Sequence, residues 1–405
     1  MTTGSGPWPV SKQQLAILGL LAASIMAPVT LPVPILRELV GVRFEVSEFL
    51  TSLFMSVNML GAALAAPFAG ALADRMGRRR PLVVGALVLD ATLFFGMTLD
   101  LPFGLFLLLR FCEGAAHIFA LSLLLSIAAS LGGSHARGQT MGITGTGMML
   151  GVAFGAPIGG LLGSVDANQP LYAGSALLIA AALFAAARLP DPTGGESRPG
   201  IREILRTVRE NRDVIAPLIF AFADRFTVGF YTTTFSLFAS GLHGATPPRV
   251  GLWITAFMLP FALFSFPFGI LADRISKTAL ICGGSVIYGL LTASLGFWPT
   301  EIIGPGMAVI GLFAAVMFVP SMLMTTDLTP PAIRSTALGA FNTAGSLGFI
   351  LGPITGGLVS QVVSATHGAE IGYQAAFAVA GGAEILCALV ALPFLLRLRA
   401  AGRTT

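Results

Sequence analysis

Arg110, Glu113, Gly114 and His117 follow one another at i, i+3, i+4 and i+7, so a helix would carry all four on one face. They lie in an apolar stretch, with Arg110 ~10 Å below its outer end by the rise of a helix. Ionisable groups are costly at such depth, so they face a cavity or a partner. A carboxyl group that changes partner there can take up and release a proton, and a static structural ion pair is the competing reading of Arg110 and Glu113. His117 fits a proton path or a packing role equally well. A Glu–His metal site would need ligands that this spacing does not supply. A second charged pair, Asp224-Arg225, falls near the middle of another apolar stretch, and Thr227 and Tyr231 continue the Asp224 face. Asp90 and Glu384 are also deep, and each demands an unseen partner or a proton.

The elements that must position these groups are membrane helices. The 405 residues are 55% hydrophobic and 10% charged, with a strongly positive mean hydropathy. A soluble domain carries about a quarter charged residues, so lipid must be the solvent over most of this surface. Twelve apolar segments are each read as a span, at about 14–36, 48–69, 81–99, 103–131, 139–163, 171–189, 214–241, 249–272, 278–298, 303–326, 333–362 and 371–396. The first is read as a retained span rather than a signal peptide. The net charge of +4 does not imply nucleic acid, because the arginines cluster in short loops. With the N-terminus inside, eighteen Lys and Arg fall on the inner side and only Arg37, Arg43 and Arg249 on the outer side, as short cytoplasmic loops require. Both termini are then cytoplasmic and the span count is even. Cys112, Cys282 and Cys387 all fall in apolar spans, which implies neither a disulfide nor a metal site.

A breaker-rich stretch and a short amphipathic segment at Ile201–Arg209 divide the spans six and six. The organisation is a bundle at 1–189, a cytoplasmic linker at 190–213 and a bundle at 214–405. The amphipathic segment is expected to lie on the inner membrane surface, with a solvated helix as the alternative. The halves repeat. Asp74-Arg75 recurs as Asp273-Arg274 at an offset of 199, and Arg137-Gly-Gln-Thr-Met-Gly142 as Arg334-Ser-Thr-Ala-Leu-Gly339 at 197. At that second offset Gly151, Gly155 and Gly159 match Gly348, Gly352 and Gly356. Equivalent residues fall on the same membrane side, so the repeats are parallel.

Three motifs carry a resemblance. Gly70-x-x-x-Asp74-Arg75-x-Gly77-Arg78-Arg79-Arg80 resembles the loop between spans 2 and 3 of major facilitator superfamily transporters. Arg110-x-x-x-Gly114 is similar to their span 4 motif. Gly151-x-x-x-Gly155-Ala156-Pro157-x-Gly159-Gly160 is similar to the span 5 motif of the twelve-helix drug:proton antiporter group. Span 1 lacks the acid many of that group carry, and Ser130–Ser134 lacks the acid that often pairs with the loop arginine. The resemblance implies an all-α membrane protein of two parallel-repeat six-helix bundles, a transporter and not an enzyme. It implies a gating loop in which Gly70, Asp74, Arg75, Gly77 and Arg78, echoed by Asp273 and Arg274, latch the inner side through the N-terminus of span 11. Arg79 and Arg80 are expected to serve topology only.

Gly147, Gly151, Gly155 and Gly159 form a bare stripe along span 5 with Pro157 beside it, and the resemblance sets span 8 opposite. This arrangement suits rocking or simple tight packing. The resemblance also makes spans 1, 4, 7 and 10 line a central cavity, where Asp224, Arg225, Arg110, Glu113 and His117 would couple protons to transport by exchanging partners across the halves. Candidate cavity residues are Met26, Phe54, Phe226, Thr227, Tyr231, Phe257 and Phe261. Asn58 and Asn342 would serve either substrate or helix packing. Met and Phe suit lipophilic ligands of varied shape. The expected function is proton-coupled efflux of lipophilic or drug-like small molecules by alternating access, in the plasma membrane and as a monomer. No cofactor is expected, and no nucleotide loop supports ATP drive. Sodium in place of protons, and an uptake symporter or lipid transporter of the same fold, are the alternatives within transport. A membrane-embedded sensor or enzyme would need a catalytic cluster or signalling domain, and none is legible.

Overall fold

Runs of apolar residues whose backbone cannot bond to lipid must satisfy their own N–H and C=O groups, and the chain does so as a series of helices. The computed structural model describes residues 10–76, 78–132, 136–191, 201–330 and 333–400, without the side chains of 67, 69–76, 201, 335 and 399. Among these residues there is no β-strand. The helices of the first half are α1 (Lys12–Thr30), α2 (Glu48–Met76), α3 (Arg80–Gly96), α4 (Phe103–Gly132), α5 (Arg137–Gly163) and α6 (Gln169–Arg188). Helix α7 (Ile201–Glu210) is the amphipathic segment. There follow α8 (Ile215–Thr232), α9 (Thr234–Gly241), α10 (Pro247–Ala272), α11 (Lys277–Ser294), α12 (Thr300–Asp327), α13 (Arg334–His367) and α14 (Ala369–Ala400). Eleven segments are long and apolar enough to cross a membrane. The 17-residue α3 completes twelve spans, with α8 and α9 together forming span 7.

Span 7 is broken where three threonines meet. Thr233 has φ −132° and ψ −75°, and the hydroxyls of Thr232 and Thr233 both donate to the Gly229 carbonyl at 2.9 Å. Side-chain hydroxyls that bond back to the preceding turn compete with the helix ladder and bend it. Pro28 lies inside α1, and after the helix Pro32 leads into a short 3₁₀ turn at Val33–Ile35, which holds Pro34, and then a π-helical turn at Arg37–Val42.

Contacts divide the chain into two units, residues 1–32 with 60–198 and residues 33–59 with 199–405. The segment 33–59 is tied into the second unit by polar bonds. Ser236 donates to the Val33 carbonyl at 2.6 Å. The Phe49 N–H donates to Gln361 at 3.1 Å. Ser360 and Tyr373 donate to the two oxygens of Glu48.

The glycine stripe of α5 packs on α1 in its own unit, which corrects the expectation of span 8. A Cβ at Gly147, Gly151 or Gly159 would fall 2.1, 2.4 and 2.0 Å from the carbonyl oxygens of Gly19, Ala23 and Leu31. A side chain cannot be accommodated there, because the two backbones are themselves the contact surface. Thr30 ties the same pair of helices together by donating to the Val152 carbonyl at 2.9 Å. The repeat does the same in the second unit, where Gly348, Gly352 and Gly356 of α13 abut the Phe222 carbonyl, the Phe226 carbonyl and Thr234 of α8 and α9.

Helix α7 docks on α13, with Thr207 buried and Thr336 donating to Glu203 at 3.4 Å. Leu205 on its other side is exposed, as are the paired Arg206 and Glu210. Arg79 is buried rather than a topological charge alone. Its Nη1 donates to Ser130 at 2.7 Å, and its backbone N–H donates to Asp191 Oδ1 at 2.9 Å. The Arg80 N–H bonds the same oxygen at 3.2 Å, so Asp191 caps the N-terminus of α3.

Candidate functional site

In the first unit, α4 presents Arg110, Glu113 and His117 to α3. Arg110 Nη1 donates to Glu113 Oε2 at 2.7 Å, with both side chains buried. The guanidinium lies 5.8 Å from the Phe94 ring centre. His117 Nδ1 is 3.1 Å from Oδ2 of Asp90, which is fully buried on α3. Asp90 therefore has the partner its depth demands. Among the described residues, Asp90 Oδ1 and His117 Nε2 are buried without a hydrogen-bond partner. One ligand atom each from Asp90, Glu113 and His117 lie within 4.8 Å of one another, a donor set that could hold a metal ion. Arg110 already supplies a full positive charge at Glu113, so the cluster reads as a salt-bridged network rather than a cation cage.

In the second unit, Arg225 Nη1 lies 3.2 Å from Asp224 Oδ2. That is close enough for an ion pair but lacks hydrogen-bond geometry, and both Asp224 oxygens are buried without a hydrogen bond among the described residues. Arg225 also stacks over Phe318 at 4.2 Å and Phe349 at 5.5 Å, a cation–π arrangement that holds the guanidinium away from a closer carboxylate contact. Glu384 of α14 is fully buried and accepts from Thr227 of α8 at 3.4 Å, with Ser285 of α11 and Asp224 near it. Each arginine is thus paired with a carboxylate of its own helix.

The aromatic candidates separate into two faces of span 7. Tyr231 packs on Phe257 at 4.8 Å between ring centres and shares a 2.7 Å hydrogen bond with Thr292. Phe257 stacks on Phe261, Phe261 meets Phe318, and Phe318 meets Phe341 and the Arg225 guanidinium. Phe226 faces the other way. Phe226 is packed with Phe230, Ala376 and Ala380 in the seam between α8 and α14, which removes it from the aromatic row. Thr227 bonds Ala223 and Glu384. Phe54 and Asn58 are buried on α2, Met26 is half-buried on α1, and Asn342 is exposed on α13. Gly77 and the side chains of Asp74 and Arg75 lie outside the described residues, Gly70 is described only as helix backbone, and Arg78, Asp273 and Arg274 are exposed. Asp327 pairs with Lys277 at 3.2 Å. Sequence reasoning missed Glu48, Asp191 and the partners of Asp90 and Glu384. All of these are contacts between helices distant in sequence, and only the depth of Asp90 and Glu384 signalled them.

The profile of the Major Facilitator Superfamily matches residues 15–243 and again 218–405. The chain belongs to this superfamily. Its relatives include Multidrug resistance protein 2 of Bacillus subtilis (strain 168), 24% identical over 77% of this chain and 82% of that protein. Quinolone resistance protein NorA of Staphylococcus aureus (strain MRSA252) is 23% identical over 76% and 80%. The chromaffin granule amine transporter of Rattus norvegicus is 26% identical over 80% of this chain and 63% of its own. The fold matches a bacterial homologue of the human lysosomal transporter Spinster in an inward-facing, occupied conformation, with a TM-score of 0.80, 15% identity and 99% and 98% of the chains covered. It also matches the nucleoside transporter NupG, with a TM-score of 0.75, 16% identity and 95% and 98% covered. The chain is therefore a major facilitator transporter, an integral membrane protein of twelve apolar helical spans whose relatives move small molecules.

Proposed function

We propose that this protein is a proton-coupled exporter of lipophilic, drug-like small molecules that works by alternating access, with both termini on the cytoplasmic side of the plasma membrane. The observation that carries the reading is the neighbourhood of Arg225. One guanidinium touches the buried Asp224 carboxylate on one side and the row Phe318–Phe261–Phe257–Tyr231 on the other. Flat aromatic rings bind lipophilic ligands of many shapes. A ligand that displaces the guanidinium from Phe318 changes the charge beside Asp224, which is how occupancy and proton binding can be linked. Arg110, Glu113 and His117 supply a second set of buried groups able to take part. The two relatives with resistance names support the efflux direction, and the basic inner loops support the orientation.

The test is purified protein in liposomes with an imposed pH gradient and a fluorescent lipophilic dye. An antiporter concentrates the dye on the acidic side and dissipates the gradient in proportion. Dye movement that ignores the gradient, or that follows the proton in the same direction, rejects proton-driven export.

A further inference from the structure

Counting charge within each unit gives the same answer twice. In the first unit the buried set is Asp90, Glu113 and Arg110, with His117 against Asp90. The helices packed on α3 and α4 are α1, α2, α5 and α6, and their other charges stand at or near helix ends, at Lys12, Glu48, Asp74, Arg75, Arg137 and Arg188. Helix α3 adds Arg80 at its first position, and the remaining titratable groups on these elements are Cys112 of α4 and Tyr172 of α6. In the second unit the set is the buried Asp224 and Glu384 with the half-buried Arg225. The helices packed on α8 and α14 are α11, α12 and α13, with charge at Lys277, Glu301, Asp327, Arg334 and His367 near their ends. Helix α14 adds Glu370, Arg397 and Arg399, also near its ends. Tyr231, Tyr288, Cys282 and Cys387 are the remaining titratable neighbours of Glu384. Among the described residues each set thus holds two carboxyl groups and one arginine, and with a neutral imidazole each is one negative charge in excess.

An uncompensated charge in an apolar interior costs several kcal/mol. Two observations locate the excess. Asp90 Oδ1 and Glu384 Oε2 are both buried without a hydrogen-bond partner among the described residues. Each set also has a group that can carry the missing proton without rearrangement: the His117 imidazole, 3.1 Å from Asp90, and the Glu384 carboxyl itself, beside Thr227.

We propose that each unit binds one exchangeable proton of its own, at Asp90–His117–Glu113 in the first and at Glu384–Asp224 in the second, so that one transport cycle has two proton sites available. Asp90 and Glu384 thereby become working groups of the proton machinery. This deepens the proton-coupled reading and rests on it for its use in transport, but the binding of the protons does not. The two sites titrate as two small coupled systems, each with its own pair of carboxyls.

The experiment counts protons bound by the purified full-length protein in detergent as the medium is taken from alkaline to mildly acidic, with no substrate. Asp90→Asn and Glu384→Gln each remove one negative charge, so each variant binds one proton fewer than wild type and the double variant binds two fewer. In acid-minus-alkaline infrared difference spectra, the carbonyl stretch of buried carboxylic acid is present in wild type and loses the Glu384 share of its intensity in Glu384→Gln. If a variant fails to fold, Glu113→Gln and Asp224→Asn delete the same charge from the same two sets and must show the same missing proton. A proton count unchanged by either single variant overturns the proposal, as does an infrared band that Glu384→Gln leaves at full intensity. A protein that shows both losses but moves no dye against a pH gradient would sink the export reading and leave the two proton sites standing. Dye transport with only one proton lost in the double variant would do the reverse.

Discussion

In α5, a glycine every fourth residue brings the helix against the carbonyls of Gly19, Ala23 and Leu31 in α1. In α13, the glycines at the repeat positions meet Phe222 and Phe226 of α8 in the same way. The buried charges do not follow the repeat. Arg110 corresponds to no charge in the second half, Asp224 and Arg225 correspond to none in α1, and Asp90 and Glu384 stand on helices that the repeat does not equate. Backbone contact between paired helices is a demand of the scaffold, so both copies retain it. Buried charge is costly everywhere, and the scaffold does not demand it of both copies. The symmetric features of this chain thus belong to the scaffold, and the asymmetric charges are the ones that the proposed coupling uses.

The largest effects should come from breaking the symmetric part and from breaking a buried ion pair. Gly151→Leu would set a side chain against the Ala23 carbonyl, 2.4 Å from the new Cβ. The expected cost is about 3 kcal/mol, the upper end for overpacking. Gly352→Leu should behave alike, and Gly145→Ala, with open space around it, should change little. Thermal unfolding in detergent measures all three. If Gly151→Leu melts with wild type, the stripe is not a backbone contact. Next, Arg110→Ala leaves Glu113 buried without its cation, a loss of about 3–5 kcal/mol. Arg110→Ala combined with Glu113→Gln should recover much of that stability without recovering pH-driven transport. Arg79→Ala and Asp191→Ala act at the inner end of α3. Each should cost about 1 kcal/mol, the usual value of a lost cap or hydrogen bond, and their effects should not simply add, since both act on the same turn.

The smallest effect sits outside the membrane. Burial lowers the pKa of His243, which bonds Thr300 at 2.8 Å. A depressed value means the folded state prefers the neutral ring. Its contribution is therefore present above the unfolded-state value of about 6.5 and is lost as pH falls through the folded value. His243→Asn should flatten a slight loss of melting temperature on acidification. An unchanged acid limb would remove this role.

Much of the scaffold was legible because lipid imposes simple rules. Twelve apolar runs, basic inner loops and a repeat at a near-constant offset led to the spans and to the superfamily. What escaped was whatever depends on which helix faces which. The stripe at Gly147–Gly159 announced close packing but not that α1 would fill it. Asp90 announced a partner, yet His117 lies 27 positions away on another helix. Phe226 and Tyr231 sit five residues apart on one helix, and periodicity alone could not say that Phe226 points into the seam with α14 while Tyr231 joins the aromatic row. Arg79 looked like one more inner arginine, because Ser130 and Asp191 meet it only in the folded chain. The break at Thr233 has no proline or glycine at the break itself to mark it.

The central claim is that the unrepeated charge on span 7 couples protons to cargo, and Asp224→Asn in proteoliposomes tests it most directly. With a fluorescent lipophilic dye on both sides, the variant should still exchange dye for dye at a rate near wild type, because the aromatic row is intact. It should lose accumulation driven by a pH gradient. If Asp224→Asn concentrates dye against its gradient as well as wild type does, Asp224 has no part in coupling and the account of span 7 is wrong.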